Sequence, residues 1–181
     1  VVCVGEGEYA TLEMVERLEK GQSPAGIQNL WVRENGRIVK QEQRPTIKNL
    51  EELPFSDWEP ETQHFITEGR FYPESARAPH IKLHHVQLFQ TSRGCPYKCT
   101  YCCHAELRDV LPKGKYVRRR SVDHVIAELK HRMSLYPGLE VAEFFDDVFI
   151  MDRRYMREFA EKYGREIGLP FWCYAYPHNN D

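Results

Sequence analysis

At 181 residues the chain has room for one domain or two short ones. Its apolar share of 41% and charged share of 29% are those of an ordinary globular protein, and a net charge of −2 gives no electrostatic footing for nucleic acid or an anionic membrane. No apolar run approaches the ~20 residues of a membrane span, and six cysteines, most of them clustered, point to reduced thiols in a cytoplasmic setting rather than a secreted disulfide framework.

The chain opens on Val1-Val2-Cys3-Val4 without an initiator Met, a basic segment or a long apolar run, so no signal peptide is read here and a piece of a longer protein is expected. Val1–Val4 reads as a short buried strand ended by Gly5-Glu6-Gly7-Glu8. A helix from about Thr11 follows, with Leu12, Val15 and Leu18 on one face and Gly21 as its stop. A strand, a glycine turn and a helix suggest phosphate binding, but the two glutamates repel phosphate where a helix N-terminus would attract it. An ordinary βα turn is the expectation. Residues 27–33 and 37–40 are short extended runs around Asn35-Gly36, the dipeptide that tolerates two positive φ angles in a tight hairpin. From Gln41 to His80 the chain carries Pro45, Pro54, Pro60, Pro73 and Pro79 without sustained periodicity, the composition of a linker. Within it Leu50–Trp58 is apolar enough to lie on a neighbouring element. His64, His80, His84 and His85 have no metal-ligand spacing and are expected at the surface or as caps.

His85–Gln90 reads as a strand feeding a polar loop from Thr91 to Cys103. Gly94 permits a sharp exit from the strand, and Pro96 keeps its neighbours out of the ladder. The loop holds Cys95, Cys99 and Cys102 at a Cys-x3-Cys-x2-Cys spacing, with Cys103 adjacent. Thiolates are soft ligands suited to iron–sulfur clusters, zinc or copper. A 4Fe–4S cluster takes one ligand per iron, so three cysteines leave one iron open. Two other readings stand beside this one. Positions 95, 99 and 102 also match one face of a helix, which would make them core thiols, and a zinc ion with Cys103 or His104 as fourth ligand meets the same spacing.

Ala105–Lys115, with Pro112 and Gly114, reads as a loop, and Arg118-Arg119-Arg120 as a solvated basic run or, since arginine forks suit carboxylates and phosphates, as a substrate or cofactor contact. Ser121 is an N-cap, with Val122, Val125, Ile126, Leu129 and Met133 as the core stripe of the helix it starts and Pro137-Gly138 as the stop. Val141–Ile150 lacks alternation and reads as a strand buried on both faces, as in parallel sheets. Asp146 and Asp147 fall where that strand should end, either as a helix-capping or loop pair or as a binding edge on the side where α/β barrels place their sites. Asp152 caps a second helix with Tyr155, Met156, Phe159, Tyr163 and Ile167 inward, and Phe171–Tyr176 is a third β-rich run in which Cys173 is a core thiol. Strand, helix, strand, helix, strand in this order means a parallel sheet.

Cys95, Cys99, the aromatic Tyr101 and Cys102, preceded by Ser92-Arg93-Gly94, resemble the cluster-binding loop of radical S-adenosylmethionine enzymes. The resemblance implies that Cys95, Cys99 and Cys102 hold a 4Fe–4S cluster. It also implies that the open iron chelates S-adenosylmethionine, that reductive cleavage yields a 5′-deoxyadenosyl radical, and that Tyr101 lies against the adenine. Phe144-Phe145-Asp146-Asp147-Val148-Phe149 resembles the second-strand motif of the cobalamin-associated branch. Other branches carry Gly-Gly-Glu there to hold the cofactor's amino group, so Asp146 and Asp147 are both cofactor-binding candidates. Val1–Gly21 resembles the closing strand and helix of the cobalamin-binding domain that precedes many such cores, and Leu53-Pro54-Phe55-Ser56-Asp57 the phrase that often covers them.

The expected fold is α/β. Residues 81–181 form the N-terminal half of a partial (β/α)6 barrel, residues 23–80 a hairpin and proline-rich linker, and residues 1–22 the terminal βα unit of a Rossmann-like cobalamin-binding domain. Cobalamin would be bound mainly by a region upstream. The implied partners are a small-molecule, lipid-like or tetrapyrrole-like substrate and an external low-potential electron donor of flavodoxin or ferredoxin type. The implied reactions are methylation, cyclisation or rearrangement. Two alternatives stand: a methylthiotransferase-type enzyme, whose second cluster would have to lie in a domain outside this sequence, and a zinc or redox-thiol binding module without radical chemistry.

Overall fold

The computed structural model describes residues 1–59, 62–73, 85–111 and 114–176. The expectations for Pro60, Pro79, His80, His84 and Pro112, and the boundary at residue 81, lie outside those residues. In order, the first elements are β1 (Val2–Cys3), α1 (Glu8–Glu19), β2 (Leu30–Glu34), β3 (Arg37–Lys40), a 3-10 turn (Leu50–Glu52), β4 (His64–Thr67), β5 (Arg70–Pro73), β6 (Val86–Phe89) and β7 (Ser92–Arg93). Then follow α2 (His104–Val110), β8 (Arg118–Arg119), α3 (Val122–Leu135), β9 (Val141–Phe144), α4 (Arg153–Glu166) and β10 (Phe171–Cys173). The chain divides into two compact units, Val1–Lys48 with Gly94–Arg118, and Asn49–Arg93 with Arg119–Asp181.

In the first unit an antiparallel sheet runs in the order β1-β2-β3, with Val2 opposite Trp31 and Trp31 opposite Lys40. Asn35 (φ 48°) and Gly36 (φ 79°) close the β2–β3 hairpin as the sequence predicts. The core consists of Ala10, Ile27, Leu30 and Val32, with Met14 against it. This differs from the expected helix face: Leu12, Val15 and Leu18 are 57, 44 and 53% exposed. Ala10 has no bulk to hold the helix away from the sheet, and Met14 lies one turn on, so the small residue selects the inward face. The expected buried first strand is corrected too, because β1 is a two-residue sheet edge with both side chains exposed. Gly21 (φ +66°) stops α1, its N–H donating to Leu18 O at 2.9 Å while the Gln22 N–H reaches Arg17 O at 2.8 Å.

The Gly5-Glu6-Gly7-Glu8 turn is an anchor. The carboxylate of Glu6 accepts the Ile47 N–H at 2.6 Å and the Arg118 Nη1 at 2.8 Å. The same Nη1 donates to Ile47 O at 2.7 Å, and Arg118 is 5% exposed.

The second unit is built on a sheet of order β10-β9-β6 with both pairings parallel: Leu88 and Trp172 both lie beside Glu143. The expected β-α-β-α-β alternation is thus present as β6-α3-β9-α4-β10. Its core joins Phe89, Val122, Val125, Ile126, Leu129, Ala142, Phe144, Phe149, Phe159 and Tyr163. Ser121 Oγ accepts the His124 N–H at 3.2 Å, and Asp152 Oδ1 accepts those of Arg154 and Tyr155 at 2.8 and 3.1 Å, the two predicted N-caps. Cys173 lies half-buried against this core.

Leu50–Trp58 does lie on a neighbour. Trp58 O accepts the Tyr136 hydroxyl at 2.8 Å, and the Phe55 ring sits 5.0 Å from that of His124. Inside the expected linker the structure forms a hairpin, β4–β5, whose turn uses Glu68 (φ 50°) and Gly69 (φ 72°). Its signal was a short aromatic run either side of Glu-Gly. The basic run is not solvated: Arg118 pairs with Glu6, Arg119 donates to Phe149 O at 2.7 Å, and Arg120 reaches Gln90 O at 3.0 Å and pairs with Glu128. Guanidinium forks satisfy carbonyls and carboxylates inside a fold in a way that composition does not reveal.

Candidate functional site

After β7, Gly94 to Cys103 is irregular backbone, so the cysteines do not form a helix stripe. Two local hydrogen bonds coil the loop, from the Cys102 N–H to Cys99 O at 3.0 Å and from the Ala105 N–H to Cys102 O at 3.2 Å. All six cysteines are thiols; Cys95 is buried, Cys99 and Cys102 half-buried, Cys103 exposed. Three soft donors within eight residues, on a loop coiled by its own backbone, suit a thiolate-ligated metal group.

Gly94 sets the entry to the loop. Its φ is +83°, and a Cβ there would lie 2.5 Å from Tyr116 O, so the backbone passes where no side chain fits. Gly94→Ala is expected to cost about 1–2 kcal/mol from the left-handed conformation alone, with the overlap in addition. Metal taken up per chain after anaerobic loading should fall accordingly; undiminished uptake would show that the loop does not depend on this close approach.

A side-chain network backs the loop in the first unit. Arg108 Nη2 donates to Cys95 O, its guanidinium lies 5.0 Å from the Tyr116 ring centre, and Tyr116 Oη is 2.6 Å from His104 Nδ1. Neither Arg108 nor Tyr116 carries a recognisable sequence signal, whereas His104 is marked only as a candidate zinc ligand beside the cysteines. Among the described residues Cys102, Cys103 and His104 also bring one donor atom each within 4.8 Å of one another. Such convergence suits a single ion, whereas a cubane spreads its thiolates over separate irons. Cys95 and Cys99 stand outside that set.

Tyr101 is 90% exposed. The two aspartates part company. Asp146 is fully buried and accepts the Thr91 N–H at 3.1 Å and hydroxyl at 2.9 Å, together with the Ser92 hydroxyl. Burial pushes its pKa up, while the Ser92 and Thr91 hydrogen bonds and the Arg119 charge pull it back. Its carboxylate therefore ties the end of β9 to the segment after β6. Asp147 is exposed. Neither Thr91 nor Ser92 was legible as its partner, since the pairing spans about fifty residues of sequence.

A cavity of about 290 Å³ lies in the second unit, lined by Phe55, Trp58, Phe89, Arg120, His124 and Glu128 among others. Its charged groups answer one another: Arg120 pairs with Glu128 and donates through Nε to His124 Nδ1 at 2.8 Å. Burial, then the Arg120 charge, holds the His124 pKa below 6.5.

No family model matches the chain. It is 32% identical over 153 residues to an uncharacterized methyltransferase of Pyrococcus horikoshii, covering 84% of this chain and 29% of the relative. It is 26% identical to the cytidylyl-2-hydroxyethylphosphonate methyltransferase of Streptomyces wedmorensis, covering 94% and 34%. The chain thus spans about a third of the curated relatives it matches. Among solved structures it resembles the radical S-adenosylmethionine methyltransferase TsrM of Kitasatospora setae, bound to tryptophan and an S-adenosylmethionine analogue, at TM-score 0.63 and 18% identity over 99% of this chain and 33% of that one. The same enzyme with cobalamin and a 4Fe–4S cluster gives 0.62, with 16% identity over 99% of this chain and 34% of that one. The cobalamin-dependent S-adenosylmethionine radical enzyme OxsB gives 0.61, with 17% identity over 96% and 22%.

Proposed function

We infer the chemistry of this chain from its family: it belongs to the radical S-adenosylmethionine enzymes, in their cobalamin-associated branch. The whole protein is a methyltransferase acting on a small molecule, with Cys95, Cys99 and Cys102 holding a 4Fe–4S cluster that leaves one iron for S-adenosylmethionine. The observation that carries the reading is the coiled loop presenting three thiols directly after Gly94. When bound, the cluster would supply the electron that cleaves S-adenosylmethionine reductively, with cobalamin held mainly by the region upstream.

The chain's own residues do the rest. Thr91, Ser92 and Asp146 fix the end of β9. Asp147, exposed beside them, is assigned the cofactor's ammonium, and Tyr101 its adenine. The sheet β6-β9-β10 corresponds to the first strands of a partial (β/α)6 barrel over residues 81–181. Residues 23–80 connect it to residues 1–22, the end of a cobalamin-binding domain. An external low-potential donor supplies electrons, and a reducing cytoplasm suits the thiols. Among the described residues no helix is long and apolar enough to cross a membrane.

Full-length protein reconstituted anaerobically with iron and sulfide tests this. S-adenosylmethionine should change the EPR signal of the reduced cluster. Asp147→Ala should weaken that response roughly tenfold in concentration with little change in unfolding temperature, the size of one lost charge-assisted hydrogen bond. Asp146→Ala should chiefly lower the unfolding temperature. An EPR signal indifferent to S-adenosylmethionine would remove the open iron from the account.

The convergence of Cys102, Cys103 and His104 favours a second reading, a zinc-stabilised module. That reading requires Cys103 for metal retention and does not require Cys99.

A further inference from the structure

Cys95 is the first thiol of the loop, and its backbone is held from behind. Arg108, four residues into α2, donates to the Cys95 carbonyl and lies over the Tyr116 ring at 5.0 Å. Tyr116 is fixed at its other end by His104, 2.6 Å from its hydroxyl, and its carbonyl abuts Gly94. Four residues on three segments thus close a ring around one peptide unit, all within the first unit.

The charge at the centre of this ring is incompletely answered. Arg108 Nε is buried without a hydrogen-bond partner. Among the described residues no carboxylate pairs with its guanidinium. A half-buried cation is screened far less than a surface one.

We propose that Arg108 is a positioning residue of the cysteine loop: it holds the Cys95 peptide in place and sets a fixed positive charge beside the first thiolate, which favours the reduced state of the metal group bound there. The proposal rests on the cluster reading above. Reduction adds negative charge to the cluster. A neighbouring cation stabilises that state and raises the potential, which eases electron delivery from a low-potential donor. Tyr116 and His104 act through Arg108, keeping its fork on the carbonyl.

The test uses full-length protein, reconstituted anaerobically, with the midpoint potential read by EPR-monitored titration and iron counted per chain. Arg108→Gln keeps a donor and loses the charge; its reduction equilibrium should fall roughly tenfold, about 59 mV to lower potential for one electron. Arg108→Lys keeps both and should return the potential to that of the parent. Tyr116→Phe keeps the ring and should move it less. If Arg108→Gln loads no iron while Arg108→Lys loads it at the parent potential, the need for a charged donor is upheld. An unchanged potential in Arg108→Gln overturns the proposal. So does a lysine variant that shifts as far as the glutamine or also fails to load, either of which would mean a packing role. If the parent itself takes up no cluster, the failure belongs to the underlying assignment instead.

Discussion

Replacing Cys99 by alanine is expected to strip the iron from the full-length protein. Each iron of a 4Fe–4S cluster needs its own ligand, and on the proposed reading the loop supplies three thiols for four irons. Losing one leaves two, so the effect should exceed the ~10–100-fold that removal of an outer partner costs a metal site. The turn itself should survive, because Cys99 contributes its carbonyl, not its thiol, to the bond with the Cys102 N–H. Cys103→Ala is the matched control. Cys103 is exposed and next to a ligand, and its loss should leave iron and sulfide content at parent levels. The zinc reading inverts both results, since its donors are Cys102, Cys103 and His104. Iron retained in Cys99→Ala together with metal lost from Cys103→Ala would therefore transfer the site from cubane to single ion.

Glu6→Ala should strongly destabilise the first unit. It leaves Arg118, 5% exposed, without its carboxylate, and the Ile47 N–H without its acceptor. Removing one member of a buried ion pair costs about 3–5 kcal/mol, which for a domain of this size lowers the unfolding midpoint by about 6–20 °C. The companion experiment is Glu6→Met with Arg118→Met, in which no charge is stranded and much of the loss should return. Thermal unfolding followed by circular dichroism, with hydrogen exchange at the Ile47 amide, reads both. A midpoint within a degree or two of the parent in Glu6→Ala would mean that water reaches Arg118 and that the turn is not an anchor.

Local signals accounted for much of the architecture. Asn35-Gly36 announced its hairpin because so few residues accept two positive φ angles. Ser121 and Asp152 announced helix starts because their side chains cap the backbone a few residues away. The β-α-β-α-β order announced a parallel sheet because parallel neighbours need crossovers. Where two local readings competed, the sequence could not decide. Leu12, Val15 and Leu18 make a respectable stripe, yet Ala10 and Met14 face the sheet. The Glu68-Gly69 hairpin was missed because its strands are four residues each and lie in a proline-rich stretch.

The sequence by itself determined the arrangement on which the proposed donor set rests: three thiols at fixed spacing, behind a glycine, on a loop after a strand. Ligand type and spacing are covalent facts that survive any packing. Only the tertiary structure decided how the charges are used. It divided Asp146 from Asp147, burying the first against Thr91 and Ser92, and it turned Arg118, Arg119 and Arg120 from an apparent surface run into three separate anchors. It also set Arg108 on the Cys95 carbonyl. The reason is reach: a charged group is satisfied by whatever the fold brings within ~3 Å of it, and those partners lie up to 112 residues away in the chain.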